Sequence, residues 1–148
     1  MRTAIIYASY HHGNTKKLAE EIQKYDSEAV LIDVIKEAAA DLNDYDRIGI
    51  ASGIAFGKYY PQMLKFLSEK LPENKDVFFI HTAGDPRENQ NAAAKGICDS
   101  KNCHMLGTYF CKGFDTYGPF KLIGGIAKGH PDADELAGVV SFYRQLSR

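Results

Sequence analysis

Short, almost continuous apolar runs alternate along this chain with segments whose apolar residues recur every three or four positions. The runs Arg2–Ala8, Ala29–Val34, Arg47–Ala51, Val77–His81 and Met105–Cys111 are strand-sized. Several lack the apolar–polar alternation of a half-exposed strand, so they read as strands buried on both faces. Between them, Leu18, Ile22 and Tyr25 fall on one helical face. Pro61 opens a second helix where its missing N–H costs nothing, with Met63, Phe66, Leu67 and Leu71 on the inner stripe. Ala92, Ala93 and Ile97 mark a weaker helix. The last helix is the clearest: Asp132 and Glu135 form a capping pair, followed by Leu136, Val139, Val140, Tyr143 and Leu146 at helical spacing. Five strands joined by crossover helices predict an α/β fold, a doubly wound parallel sheet with helices on both faces. The stretch Gly113–Pro131 is glycine-rich and aperiodic, which predicts a long loop with a functional role.

Composition narrows the classes. The 148 residues fit a single domain spanning 1–148, with 45% apolar and 25% charged residues, the usage of a soluble globular protein. A formal net charge of −1 offers no basic field for nucleic acid and no polybasic patch for a membrane surface. Every apolar run is too short to span a bilayer. Met1-Arg2-Thr3 leads straight into a strand without a signal-peptide core, so a cytoplasmic location is expected. The three cysteines, Cys98, Cys103 and Cys111, do not suggest a disulfide framework. Cys98 and Cys103 with His104 lack the spacing and the fourth ligand of a metal knuckle, and no metal is expected.

Ligands of doubly wound sheets sit beyond the carboxyl ends of the strands, where the strand order switches. Three segments therefore matter. After strand one, Ser9-Tyr10-His11-His12-Gly13-Asn14-Thr15 runs into a helix. Backbone N–H groups and the positive end of the helix dipole converge there, as a phosphate requires. After strand three, Ser52-Gly53-Ile54-Ala55-Phe56-Gly57-Lys58-Tyr59-Tyr60 suits a thin wall against a planar apolar ligand. After strand four, Thr82-Ala83-Gly84-Asp85-Pro86 is a second small-residue wall. Together they outline a site for an aromatic mononucleotide.

These segments resemble the flavodoxin family. Gly13-Asn14-Thr15 matches the end of its flavin-mononucleotide (FMN) phosphate loop. Gly53-Ile54-Ala55-Phe56-Gly57 is similar to its first isoalloxazine loop, in the Phe-Gly form of flavodoxin-like quinone reductases, and Thr82-Ala83-Gly84 falls at the second. Gly129-His130-Pro131 also resembles a family feature. The likeness spans essentially the whole chain. It implies a five-stranded sheet in the order 2-1-3-4-5 and FMN as cofactor. Ser9, Tyr10, His11, His12, Gly13, Asn14 and Thr15 would hold the phosphate, and Ser52, Gly53, Ile54, Ala55, Phe56, Gly57, Lys58, Thr82, Ala83 and Gly84 the ring. Three departures stand out. The first turn carries one extra residue between Ser9 and Gly13, with histidines where hydroxyls are usual. There is no tryptophan, leaving Phe56, Tyr59 or Tyr117 to stack on the ring. The charge is near neutral where typical flavodoxins are strongly acidic.

The resemblance implies an electron-transfer protein that passes electrons between transient redox partner proteins as a monomer or weak dimer, with no catalytic residue of its own. The alternative is an FMN-dependent NAD(P)H reductase of quinones or other small acceptors, but Gly118, Gly124, Gly125 and Gly129 do not form a dinucleotide fingerprint after a strand. Response-regulator chemistry would need an acidic cluster after strand one and an Asp after strand three, where the chain has Ser9-Tyr10 and Ser52-Gly53. A phosphatase would need a cysteine in the first turn. Two features invite finer expectations. A phosphate dianion beside His11 and His12 would favour imidazolium, so FMN affinity should fall as pH rises through their titration. Gly57 can adopt positive φ, so the Phe56–Gly57 peptide could flip and present its carbonyl to a protonated flavin N5.

Overall fold

A computed structural model describes residues 1–10, 13–114 and 125–146. His11 and His12, and most of the expected loop, including Asp115, Tyr117, Gly118, Pro119, Phe120 and Gly124, lie outside the described residues.

The apolar runs become β1 (Thr3–Ala8), β2 (Val30–Asp33), β3 (Arg47–Ala55), β5 (Asp76–Ala83) and β6 (His104–Lys112), with a two-residue β4 (Lys58–Tyr59) between the third and fourth of them. The helices are α1 (Asn14–Tyr25), α2 (Pro61–Lys70), α3 (Ala92–Ser100) and α4 (Ala133–Leu146). The main sheet runs β2-β1-β3-β5-β6, with its neighbours parallel, as in Ile5↔Gly49 and Ile50↔Phe79. Counting only these five strands, the order is the expected 2-1-3-4-5; β4 pairs antiparallel with the end of β3 alone. The order switches between β1 and β3, so the segments leaving them diverge to opposite faces and open a crevice.

Two apolar layers sandwich the sheet. On one face Ile6, Ile48, Ile50 and Phe79 pack under Met63 and Leu67 of α2 and Ala94 and Cys98 of α3. On the other, Ile5, Phe78 and Ile80 meet Leu18 and Ile22 of α1 and Val139 and Tyr143 of α4. Pro61 is the first residue of α2, and Lys101 Nζ donates to the carbonyls of Ser68 and Leu71 at 3.0 and 2.8 Å, covering its last turn.

Three expectations change. Tyr25 is 54% exposed rather than on the buried face, being the last residue of α1. Ala92 is exposed, since the inner stripe of α3 is set by Ala94 and Cys98. Strand three does not stop at Ala51 but continues to Ala55, because it pairs with β5 through Gly53↔Thr82 and then folds back onto β4.

At the amino end of the sheet, Arg47 is only 4% exposed. Its Nε donates to Thr3 Oγ1 at 3.1 Å and its Nη2 to Tyr143 Oη at 2.9 Å. The Tyr143 hydroxyl in turn donates to Asp26. The guanidinium also lies 4.7 Å from the Tyr143 ring centroid, within cation–π range. This chain of contacts joins β1, β3, α4 and the end of α1.

Candidate functional site

The first wall is the turn from β1 into α1. Its helix begins after Gly13, which holds φ 64°, and the Gly13 N–H closes the turn on the Tyr10 carbonyl at 3.1 Å. Ser9 Oγ accepts the Lys16 N–H at 3.3 Å, covering a donor in the first helical turn. Asn14 and Thr15 are buried, at 7% and 1% exposure.

The second wall is a β-hairpin. Phe56 and Gly57, with φ 53° and 77°, form its two-residue turn, and Ala55 pairs with Lys58 across it. Positive φ at both central positions is what such a turn requires, and glycine meets it at the second without strain. Ser52 Oγ, fully buried, accepts the Tyr60 N–H at 3.0 Å and donates to the Gly53 carbonyl at 2.7 Å. Ser52 therefore closes the base of the hairpin instead of facing the ligand space. Alternation along the returning arm turns Tyr59 into the core, 1% exposed, so Tyr59 cannot stack on a bound ring. Phe56 is 88% exposed at the tip.

The remaining walls are Thr82-Ala83-Gly84 after β5 and Gly113-Phe114 after β6. Three contacts bind these walls together. Thr15 and Thr82 hydroxyls meet at 2.8 Å. Gly113 N–H donates to the Ala83 carbonyl at 2.9 Å. Asn14 Nδ2 donates to the Phe114 carbonyl at 2.8 Å. A Cβ on Gly113 would come within 2.7 Å of Asn14 Nδ2, so only glycine lets that amide through. Phe114 is anchored from behind, its N–H donating to the His130 carbonyl at 2.9 Å.

The result is a cleft lined by Ser9, Tyr10, Asn14, Thr15, Gly53, Ile54, Tyr60, Thr82, Ala83, Gly84, Gly113 and Phe114. All three sequence-predicted segments meet in it. Gly13 shapes the turn, while Ala55, Phe56 and Lys58 line an adjoining groove. Tyr60, Gly113 and Phe114 were not among the expected ligand-holding residues. For Tyr60 the sequence holds no local signal, because its place on the cleft follows from the hairpin register.

One atom in the cleft tests what ligand fits. Because the Phe114 carbonyl can only accept, Asn14 must present Nδ2 to it, and Asn14 Oδ1 is then a buried acceptor without a hydrogen-bond partner among the described residues. A phosphate dianion has no proton to give it, but a hydroxyl does. The start of α1 suits an anion, and any N–H or O–H donor beside it would satisfy Asn14 Oδ1. Its enclosed part is about 20 Å³, too small for a tricyclic ring, which would have to lie across the mouth.

Beneath the cleft sits His81, fully buried. Its Nε2 lies 2.8 Å from the Arg87 carbonyl and its Nδ1 3.1 Å from Tyr59 Oη, while its ring stacks on Phe110 at 5.3 Å. A carbonyl only accepts, so Nε2 carries the proton and Nδ1 accepts from Tyr59. Burial lowers the His81 pKa to about 4, keeping the imidazole neutral. One side chain thereby ties the hairpin, the segment after β5 and β6 to one another.

Possible metal ligands gather at the start of α4. Among the described residues His130, Asp132 and Glu135 lie together. Glu135 Oε1 accepts the Asp132 N–H and Asp132 Oδ1 the Glu135 N–H, both at 2.9 Å, which is the capping box foreseen at the start of α4. Glu135 Oε2 accepts the Lys112 N–H at 3.1 Å, so both oxygens serve the fold. Cys98 and Cys111 are free and buried, and desolvation pushes both thiols up to about 12, which leaves them inert.

Comparison with known proteins points the same way as the cleft. A family model described as a flavodoxin domain matches residues 4–107. An uncharacterized protein of Methanocaldococcus jannaschii is 36% identical over 148 residues, covering 99% of this chain and 98% of that protein. A solved flavodoxin from the domain Archaea superposes with a TM-score of 0.70 at 16% identity over 100% of both chains. A Fusobacterium nucleatum flavodoxin variant bound to flavin mononucleotide gives 0.69 at 13% identity over 99% of this chain and 96% of that one. At these identities the structural likeness is one of fold. No helix among the described residues is long and apolar enough to cross a membrane.

Proposed function

The chain belongs to the flavodoxin domain family, and from that premise we propose that it is an FMN-binding electron-transfer protein passing electrons between redox partners. The observation that carries this reading is the cleft at the switch point, where three strand-end segments meet at the start of α1. FMN combines a phosphate with a hydroxylated ribityl chain and a flat ring. Its phosphate would sit at the start of α1, held by Ser9, Tyr10, His11, His12, Gly13 and Thr15. Asn14 Oδ1 would accept from a ribityl hydroxyl. Gly53 and Ile54 of the hairpin and Thr82, Ala83 and Gly84 would flank the ring, with Phe56 at the hairpin tip beside it. Bound FMN supplies the redox chemistry; the residues here bind it, orient it and exclude water from its phosphate side. We place the protein in the cytoplasm as a monomer or weak dimer working as one unit over its whole length, in keeping with its buried, unpaired cysteines.

The purified protein should carry flavin absorption bands, or acquire them with one equivalent of FMN. A colourless protein that FMN does not load contradicts the reading. The groove beside the cleft favours a second reading, an FMN-dependent NAD(P)H reductase of small acceptors. Steady-state NAD(P)H oxidation by the loaded protein separates the two: an electron carrier shows none above background.

A further inference from the structure

Next to the cleft lies a second cavity of about 510 Å³, within the range that holds drug-sized ligands. Its walls are the outer side of the hairpin and the first turns of α2, with Tyr10 and Tyr60 common to cleft and groove. Those two rings lie 5.0 Å apart at 49° and form the partition between them. Phe56, Pro61 and Leu64 make the rest of the groove apolar. Lys58 is the cationic side chain among the described lining residues, and no carboxylate is among them.

We propose that this groove is a second small-molecule site, which takes a flat aromatic ligand of two or three rings bearing one anionic group. Three features favour that class. The volume and concavity suit a small ligand better than a protein surface, which is usually flatter. Aromatic walls favour stacking on a planar body. Lys58 at the rim selects the sign of a polar substituent that stays in solvent. The site rests on the flavoprotein reading for its consequence alone: a ligand there would lie one tyrosine thickness from the cofactor cleft. Binding itself needs only the protein.

Naphthalene-2-sulfonate and its charge-reversed counterpart, 2-naphthyltrimethylammonium, test this by isothermal titration calorimetry before and after one equivalent of FMN is added. The sulfonate should bind in both states, and roughly fivefold tighter than the ammonium, the size of effect one exposed charge provides. Leu64→Trp fills the groove without touching the cleft and should weaken the sulfonate at least tenfold while leaving FMN uptake unchanged. Lys58→Glu, on the exposed hairpin, should abolish or invert the charge preference even if the first variant folds poorly. No sulfonate binding, or binding indifferent to both variants, overturns the proposal. So does stoichiometric displacement by FMN, which would make the groove the ring's own seat. A protein that binds the sulfonate and takes no FMN would instead sink the proposed function and leave this site standing.

Discussion

The two ends of the sheet solve opposite problems with similar residues. At the amino end, Arg47, Thr3, Tyr143 and Asp26 form a buried chain of charge-assisted hydrogen bonds that joins two strands and two helices. At the carboxyl end, Asn14, Thr15 and Thr82 are as deeply buried, yet Asn14 keeps an acceptor pointing at nothing described. A buried polar group left unpaired costs about 1–3 kcal/mol. Each end carries one such atom among the described residues, Arg47 Nη1 at the amino end and Asn14 Oδ1 at the carboxyl end, but Asn14, unlike Arg47, lines the cleft. The difference teaches where the molecule holds its fold and where it waits for a ligand. Changes at the amino end should cost stability and spare ligand affinity, while changes at the carboxyl end should do the reverse.

The largest effect should come from Arg47→Met. It removes the cation that donates to Thr3 and Tyr143, and breaking one partner of a buried charged network costs about 3–5 kcal/mol. Urea unfolding should record that loss, while the FMN affinity of the folded fraction stays within about twofold. An affinity loss as large as the stability loss would erase the contrast between the ends. His81 sharpens the contrast through pH. Its imidazole, held at about 4 by burial, stays neutral when an unfolded histidine near the ordinary 6.5 has taken a proton. Its contribution is therefore whole above about pH 6.5 and is lost as pH falls toward 4, at about 1.4 kcal/mol per unit. Unfolding free energies at pH 7 and pH 4.5 should differ accordingly, and His81→Gln should flatten the difference.

Smaller effects belong to the cleft. Gly113→Ala forces Asn14 away from the Phe114 carbonyl and should raise the FMN dissociation constant about tenfold, roughly 1.4 kcal/mol. A thermal midpoint reduced by only a few degrees would mark this as a site effect. Gly57→Ala should touch affinity least, since a Cβ there meets open space, although its left-handed φ costs about 1–2 kcal/mol of strain. Potentiometric titration should still find its one-electron midpoint potentials shifted; unchanged couples would rule out a role for the Phe56–Gly57 peptide.

Much of this was legible in the chain because buried parallel strands are nearly all apolar. Ile5, Ile6, Ile48, Ile50, Phe78 and Phe79 announce themselves as runs, and the order of loops follows. Asp132 and Glu135 announced the start of α4, because a capping box is local and needs only the right two residues. What escaped the sequence depends on contacts across space. The two-residue β4 is too short for any period, so nothing local carries β3 past Ala51 or marks Ser52 as part of a strand. Tyr59 and Tyr60 are both buried, and that Tyr60 also borders the cleft follows only once the hairpin register is known. The approach of Asn14 to Gly113 spans about a hundred residues and has no local signature.

The central claim is that the cleft at the carboxyl end holds a phosphate ester with a hydroxylated chain and a flavin ring. Fluorescence titration of the cofactor-free protein with FMN and with riboflavin tests it most directly, because the two differ only in the phosphate. The account predicts one-to-one quenching by FMN and at least hundredfold weaker binding of riboflavin, a gap of about 2.7 kcal/mol. Equal affinity for the two, or no binding of either, would contradict it.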